Sequence, residues 1–401
     1  MAECFKVKTG RMDALRHRVL VWAGIYKFHT DNYYLGVCHD VYRALVIVMI
    51  ILFTIQHIIY IYLCAIREDD IPWDVVIVVI STINVIIKLV TVHIHSKEID
   101  EIHVLIKAPI FEPTCTEDET ILKKTEKQIN MLLKIVYIDV TVLNITWDIY
   151  KIGQRMTNES AFIESYFPFN TNPWPGYLLA FLYEWWIIII WLGYGLLSLD
   201  CSIAIYYTRA ATQLKIVNYH LEHMFDNVKV QSQKRFQYKD LVDRSLNLKF
   251  IHFVQRYQNI QRLINTVNIA FSEGTAFQFF SATVGIGFCL YKMTYTELFS
   301  VEFQLAFGLV LIYQMQNFMY CYFGNKVESE SDRVCTSMYF SDWPSASPRF
   351  RRQMLIAMAR WARPITPRVS IVPVTMATFD SILRHSYTFY TIMKSRNMTK
   401  N

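Results

Sequence analysis

Few residues in this chain are spaced to do chemistry together. In His220-Leu221-Glu222-His223 the histidines stand three apart with the glutamate beside the second, whereas a helical zinc-hydrolase site needs histidines four apart and the glutamate beside the first. His93 and His95 sit at the edge of an apolar run. No phosphate-cradling loop, dinucleotide fingerprint or nucleophile elbow occurs in the sequence. The pattern offers no enzyme, cofactor, metal site or nucleic-acid partner.

What remains is a set of ionisable groups in apolar surroundings: Lys88, Lys134, Asp139, Glu184, Asp200, Glu273, Asp380, Arg384 and His385. In hydrocarbon such a group must snorkel, pair or face water. Lys88 and Lys134 lie toward the inner ends of their runs, at depths where Asp200 and Asp139 can pair with them. Asp380, one turn before Arg384, is the expected partner of that arginine, in preference to a pH-sensing role for His385. Glu184 and Glu273 are the candidates for the wall of a wet cavity.

The elements that must hold these groups are membrane spans. Of 401 residues, 53% are hydrophobic and 18% charged, with a mean hydropathy of +0.22, the composition of a polytopic membrane protein. Crossing ~30 Å of hydrocarbon takes about 20 apolar residues in a helix that bonds its own backbone. Seven stretches qualify: Ala44 to Ala65, Val75 to Ile94, Met131 to Tyr150, Tyr177 to Tyr207, Leu263 to Tyr291, Glu297 to Phe323 and about Val372 to Met393. The first doubles as a signal anchor. The expected fold class is therefore all-α, a bundle of seven transmembrane helices. Of the 8 cysteines, no pair falls in an outer loop, so disulfides are not expected to staple an ectodomain.

Orientation follows from the cations. Thirty of the 40 Lys and Arg fall in the amino-terminal segment and the 2/3, 4/5 and 6/7 connections, which places those on the cytoplasmic side. The amino terminus is inside and the carboxyl terminus outside, opposite to a G-protein-coupled receptor. The sequon at Asn158 then lies in an outer loop and is a candidate glycosylation site.

The chain divides into 1–43, a cytoplasmic amino-terminal segment; 44–208, spans one to four; 209–262, a cytoplasmic helical hairpin; 263–323, spans five and six; 324–371, a second cytoplasmic segment; and 372–401, the seventh span with its outer end. In the hairpin, Leu214, Val217, Leu221 and Met224, and then Phe250, Phe253, Tyr257, Ile260 and Ile264, recur at helical spacing. Such seams need a partner in water, either within the chain or in another subunit. In "SPRFRRQMLIAMARWARP", Met354, Met358 and Trp361 share a face against five arginines, so this helix lies on anionic lipid or packs on the hairpin. Pro364, Pro367 and Pro373 separate it from the last span. Gly324 and Asn325 read as a helix end or hinge.

Two stretches resemble the insect odorant receptor family: "YCYFGNKVESES" at the end of span six, and "VTMATFDSILRHSYTFYTIMK" in the last helix. The family pattern has Glu where this chain has Lys326, a departure at a solvent-side position. Length near 400 and a short 4/5 connection resemble an odour-specific tuning subunit rather than the longer co-receptor, and the gustatory relatives' "T-Y-x5-Q-F" signature is missing.

The resemblance implies a hetero-oligomer, a tetramer with a shared co-receptor, acting as an odour-gated nonselective cation channel in the dendrite membrane of olfactory neurons. Its partners are the co-receptor subunit, a volatile odorant and membrane lipid. The seventh helix, broken into a cytoplasmic and a pore-lining half, would carry the gate at Thr388, Ile392 and Met393, with Arg396 on the outer side. The ligand pocket would lie in the outer half of the bundle, and the residues that fit it are Val78 and Ser81 in span two and Val140, Leu143 and Trp147 in span three. Trp185 and Ile188 fit it in span four, Phe279 in span five, and Phe303 and Phe307 in span six. Core packing or an interfacial aromatic belt is the alternative for each aromatic, most plainly in "YEWWIIIIWLGY". Two other readings stay open: a gustatory-type homotetramer of the same fold, and a multipass enzyme or transporter.

Overall fold

The computed structural model describes residues 11–27, 32–67, 73–157, 165–171, 173–225, 238–298 and 300–398. The candidate glycosylation site Asn158 lies outside them. The described residues form α1 (Arg11–Trp22), α2 (Tyr33–Ile66), α3 (Trp73–Ile94), α4 (Ser96–Ile106), α5 (Thr116–Thr157) and α6 (Trp174–Ile187). A π-helical segment, Ile188–Gly195, joins α6 to α7 (Leu196–Glu222). Then come α8 (Tyr238–Tyr295), α9 (Val301–Phe340), α10 (Pro348–Trp361), a hairpin of β1 (Arg368–Val369) and β2 (Val372–Pro373), and α11 (Met376–Met398).

Spans one to seven correspond to α2, α3, α5, α6 with α7, α8, α9 and α11. Among the described residues, five helical stretches, those of the first five spans, are long and apolar enough by themselves to cross a membrane. Helix α9 is diluted by Gln304, Gln314, Gln316 and Asn317, and α11 by its charges and hydroxyls. Several helix starts are fixed locally. Asn32 accepts from the Tyr34 N–H, Ser300 from that of Phe303, and Ser347 from that of Phe350 with Pro348 at the first helical position.

Four spans extend well beyond the bilayer. At 1.5 Å per residue, α8 with 58 residues is about 87 Å long, α5 with 42 about 63 Å and α9 with 40 about 60 Å, and the fourth span, Trp174–Glu222, runs unbroken for 49 residues. Both predicted seams are buried within the chain: Leu214, Val217 and Ile260 are each 0% exposed, and Phe250, Phe253 and Tyr257 pack with them. The amphipathic helix α10 packs on the same hairpin, with the rings of Phe350 and Trp361 5.5 Å (edge-on) and 6.2 Å (tilted) from that of Phe250, and Trp361 5.0 Å from Tyr257. One apolar core therefore runs from Phe53 and Leu199 down to Met338 and Trp361.

Helix α7 is the axis of the molecule, for every residue from Leu196 to Thr208 is buried. A helix enclosed on all sides must satisfy its polar groups internally. Ser198 bonds Tyr137 at 2.9 Å, and Thr208 donates to the Ala204 carbonyl. At the cytoplasmic end Asp13 accepts from Arg16 and from Arg209, both at 2.6 Å, which ties α1 to α7.

Two local expectations need correction. Helix α9 does not end at Gly324 and Asn325 but runs through to Phe340. Gly324 is needed for a close approach: a Cβ there would strike the Val374 carbonyl oxygen, the point at which the last span begins. The polar tail of α9 then docks its neighbours. Glu328 accepts from Thr366 at 2.8 Å, Ser331 from the Ile365 N–H at 2.8 Å, and Ser337 donates to Glu222 at 2.7 Å. The seventh helix starts at Met376 rather than Val372, because Val369 and Val372 pair across the hairpin and Ser370 turns it at a φ of +54°.

Candidate ligand-binding site

Inward faces of α3, α5, α7 and α9, with the π segment, line a cavity of about 160 Å³ in the outer half of the bundle. Helix α3 supplies Ile77, Val78, Ser81 and Asn84, and α5 supplies Val140, Leu143, Asn144 and Trp147. From α9 come Leu305, Leu309, Ile312, Tyr313 and Gln316, spaced so that one face looks inward. Ile188, Leu192, Gly193, Leu196 and Leu197 complete the wall, and the π segment widens the helix where the first three of these reach in. The lining is mostly aliphatic and aromatic with a few polar groups, the usual make-up of a small-molecule site. Two of those groups satisfy each other, since Ser81 and the Tyr313 hydroxyl are 2.8 Å apart.

One turn toward the cytoplasm lies a buried polar network. Lys88 meets Asp200 at 2.5 Å and donates to the Gln278 oxygen at 2.7 Å, and Tyr320 donates to Asp200 at 2.5 Å. Asn84 donates to the same Gln278 oxygen at 2.5 Å, and Gln278 donates to Gln316 at 2.8 Å. The network joins α3, α7, α8 and α9, and Asn84 and Gln316 belong both to it and to the cavity lining. The ion pair survives burial because the carboxylate, phenol and amide solvate each other in place of water.

Of the residues expected at the pocket, Val78, Ser81, Val140, Leu143, Trp147 and Ile188 converge on this cavity. Four do not. Trp185 donates to Asp148 at 2.9 Å and lines, with Trp147 and Glu184, a shallow outer niche. Phe279 packs 6.3 Å from Tyr320 and faces a cleft of about 290 Å³ against α11. Phe307 is 47% exposed on the face of α9 opposite Leu309, and Phe303 lines no part of the cavity. Aromaticity drew the eye to them, whereas the phase of α9 selects Leu305, Leu309 and Tyr313.

The other ionisable groups divide by environment. Lys88 and Asp200 pair, but no ion pair joins Lys134 to Asp139, which at five residues apart lie on different faces of α5. Asp380 and Arg384 meet at 2.7 Å. Glu184 accepts from Ser165, and Glu273 is an exposed neighbour of His95. On α11, Thr388, Ile392 and Arg396 are exposed and Met393 is half-buried, so the expected gate residues lie on or beside the outward face of the subunit.

Two further features have the outward form of sites. Cys115, Asp118 and His220 bring donor atoms within 4.8 Å of one another at the cytoplasmic end of α5. Asp118 is already engaged: it accepts from the Thr114 N–H and hydroxyl at 2.9 Å and from His220 at 2.8 Å. Burial raises its pKa, but the bonds from His220 and Thr114 outweigh burial and hold the carboxyl well below the usual range. The cluster caps α5 and pins it to α7. A larger groove of about 650 Å³ runs between α8 and α10, rimmed by Gln255, Gln258, Arg360 and Arg363, and shares no lining residue with the apolar cavity.

A family model described as "7tm Odorant receptor" matches residues 73–387. Odorant receptors 82a and 85c of Drosophila melanogaster are 24% and 26% identical over 233 residues, 57% of this chain and 56% of each relative. Odorant receptor 2a of the same fly is 28% identical over 80 residues, 20% of each chain. The chain thus spans between a fifth and just over half the length of these relatives. Among solved structures, the insect olfactory receptor OR5 from Machilis hrabei in complex with eugenol superposes with a TM-score of 0.79 at 16% identity, covering 96% of this chain and 97% of that one. A second structure of the same receptor gives 0.77, again at 16% identity, with 95% and 96% covered. The fold is shared nearly end to end, the family model takes in spans two to six and most of the seventh, and the chain belongs to the 7tm odorant receptor family.

Proposed function

We propose that this chain is the odour-binding subunit of a ligand-gated nonselective cation channel, working with a shared odorant co-receptor in the dendrite membrane of olfactory neurons. The observation that carries the reading is the apolar cavity in the outer half of the bundle, lined by Val78, Leu143, Trp147 and Ile188 with Ser81 and Tyr313 bonded at its wall. A small volatile molecule loses little on leaving water for such a space and gains contact with its apolar walls. A ligand drives opening only by its greater affinity for the open state.

The channel half of the proposal is supported by α11. Asp380, Arg384, Thr388, Thr391 and Ile392 form an exposed stripe along it, and a polar stripe at membrane depth must face water or another subunit. Placed around an axis with neighbouring subunits, it would line a path whose apolar constriction is Ile392, flanked by Thr388 and Met393, with Arg396 at the outer mouth. The Asp380–Arg384 pair leaves little net charge there, in keeping with weak ion selectivity.

The test is expression of this chain with and without an odorant co-receptor, followed by recording of current on application of a panel of volatiles. Odour-evoked cation current that needs both chains supports the proposal. Current from this chain alone would favour a homotetramer, and silence despite surface expression would overturn the odour-gated reading.

A further inference from the structure

An amide group looks the same from either end, and only its neighbours tell oxygen from nitrogen. In this bundle Lys88 settles the question for three amides in a row. An ammonium carries donors only, so the Gln278 atom that Lys88 meets at 2.7 Å is the oxygen. The same oxygen is 2.5 Å from the Asn84 amide, so Asn84 turns its NH2 to it and keeps its own oxygen out of the network. Gln278 is then committed to donating to the oxygen of Gln316 at 2.8 Å. Asp200, 2.5 Å from the ammonium, holds the charge that sets this order.

The consequence falls on the cavity. Asn84 is 2% exposed and belongs to the cavity lining, and its Oδ1, itself buried, has no hydrogen-bond partner. The hydroxyls of Ser81 and Tyr313 bond each other, and neither is bonded to that acceptor. A buried carbonyl oxygen left without a donor is costly, and a ligand that brings one recovers the cost.

Building on the function proposed above, we infer that the cavity selects small apolar molecules bearing one hydroxyl, alcohols or phenols, whose O–H donates to Asn84 Oδ1. Ethers of the same size and shape lack that proton and are the rejected class. Lys88, Asp200 and Gln278 line no part of the cavity; they are positioning residues that keep the acceptor end of Asn84 available.

The probes are isomeric pairs applied to the full chain with its co-receptor: 1-hexanol against methyl pentyl ether, and benzyl alcohol against anisole. The expected result is a half-maximal concentration roughly ten-fold or more lower for the alcohol of at least one pair. Asn84→Leu brings that ratio near one. Gln278→Met, which leaves the cavity lining untouched but removes the ordering amide, also collapses the ratio, and it stands in should Asn84→Leu fail to reach the surface.

Equal potency of alcohol and ether in the unaltered chain overturns the inference while leaving the odour-gated channel standing. So does an Asn84→Leu or Gln278→Met variant that retains the ratio or weakens both members alike. No current with any volatile from surface-expressed protein overturns the function itself, and the inference with it.

Discussion

At the scale of residues, the pair Lys88 and Asp200 shows what a charge inside a membrane bundle demands. Each is tolerated because the other is there, so removing one exposes the cost of the survivor. Asp200→Ala is expected to destabilise the fold by about 3–5 kcal/mol, read as loss of surface protein, whereas Lys88→Met with Asp200→Leu together restores much of it. Filling the cavity separates binding from folding: Leu143→Trp should raise the half-maximal odour concentration on the order of a hundred-fold, or abolish the response, while costing only about 1–3 kcal/mol in melting experiments. The ion pair was legible in the sequence because charges stand out in apolar runs. The amides Asn84, Gln278 and Gln316 were not, since a neutral amide in a span looks the same whether it faces a neighbour, a network or a ligand. Phe303 and Phe307 lie off the cavity for a related reason: residue type indicates what a side chain prefers to touch, but only the rotation of α9 decides what it meets.

At the scale of elements, the seams of the 4/5 hairpin could be read from spacing alone, and the structure buries them as a helical pair. What spacing could not show is where a glycine ends a helix and where it admits a neighbour. Gly324 does the second, so Gly324→Val is expected to push the start of the last span off α9. Melting should report a loss of roughly 2 kcal/mol, and residues 368–373 should become a site of proteolysis.

The packing of α4 makes a separate prediction. His103 stands 5.6 Å from His17 and 5.8 Å from Tyr26, and accepts or donates at 3.2 Å to Tyr206. Burial first, and then the charges of His17, Arg16 and Lys107, lower its pKa from the ordinary 6.5 to about 4, with Asp13 opposing them. The folded state therefore resists protonation that the unfolded chain accepts. This contribution is complete above pH 6.5 and is lost as pH falls toward about 4. The melting temperature of the solubilised protein should drop over that window, and His103→Gln should flatten the drop.

At the scale of the whole molecule, the long helices α5, α8 and α9 leave no boundary between membrane and cytoplasmic parts. Hydropathy sees only the membrane part, which is why α9 and α11 are faint by composition although both belong to the bundle. Their amides, hydroxyls and charges are spent on contacts and on the outward stripe of α11. If that stripe lines a shared path, Ile392→Ala should raise current in the absence of odour several-fold without changing surface expression, as whole-cell recording before ligand would report. The π segment has a different kind of consequence. Its wide turns sit beside the cavity, so deleting one residue within Ile188–Gly195 should be absorbed by tightening toward α-helix, which reshapes the cavity wall while α6 and α7 keep their packing. If the cavity is where a ligand binds, the side chains facing it would then change in a single genetic step at little risk to the fold.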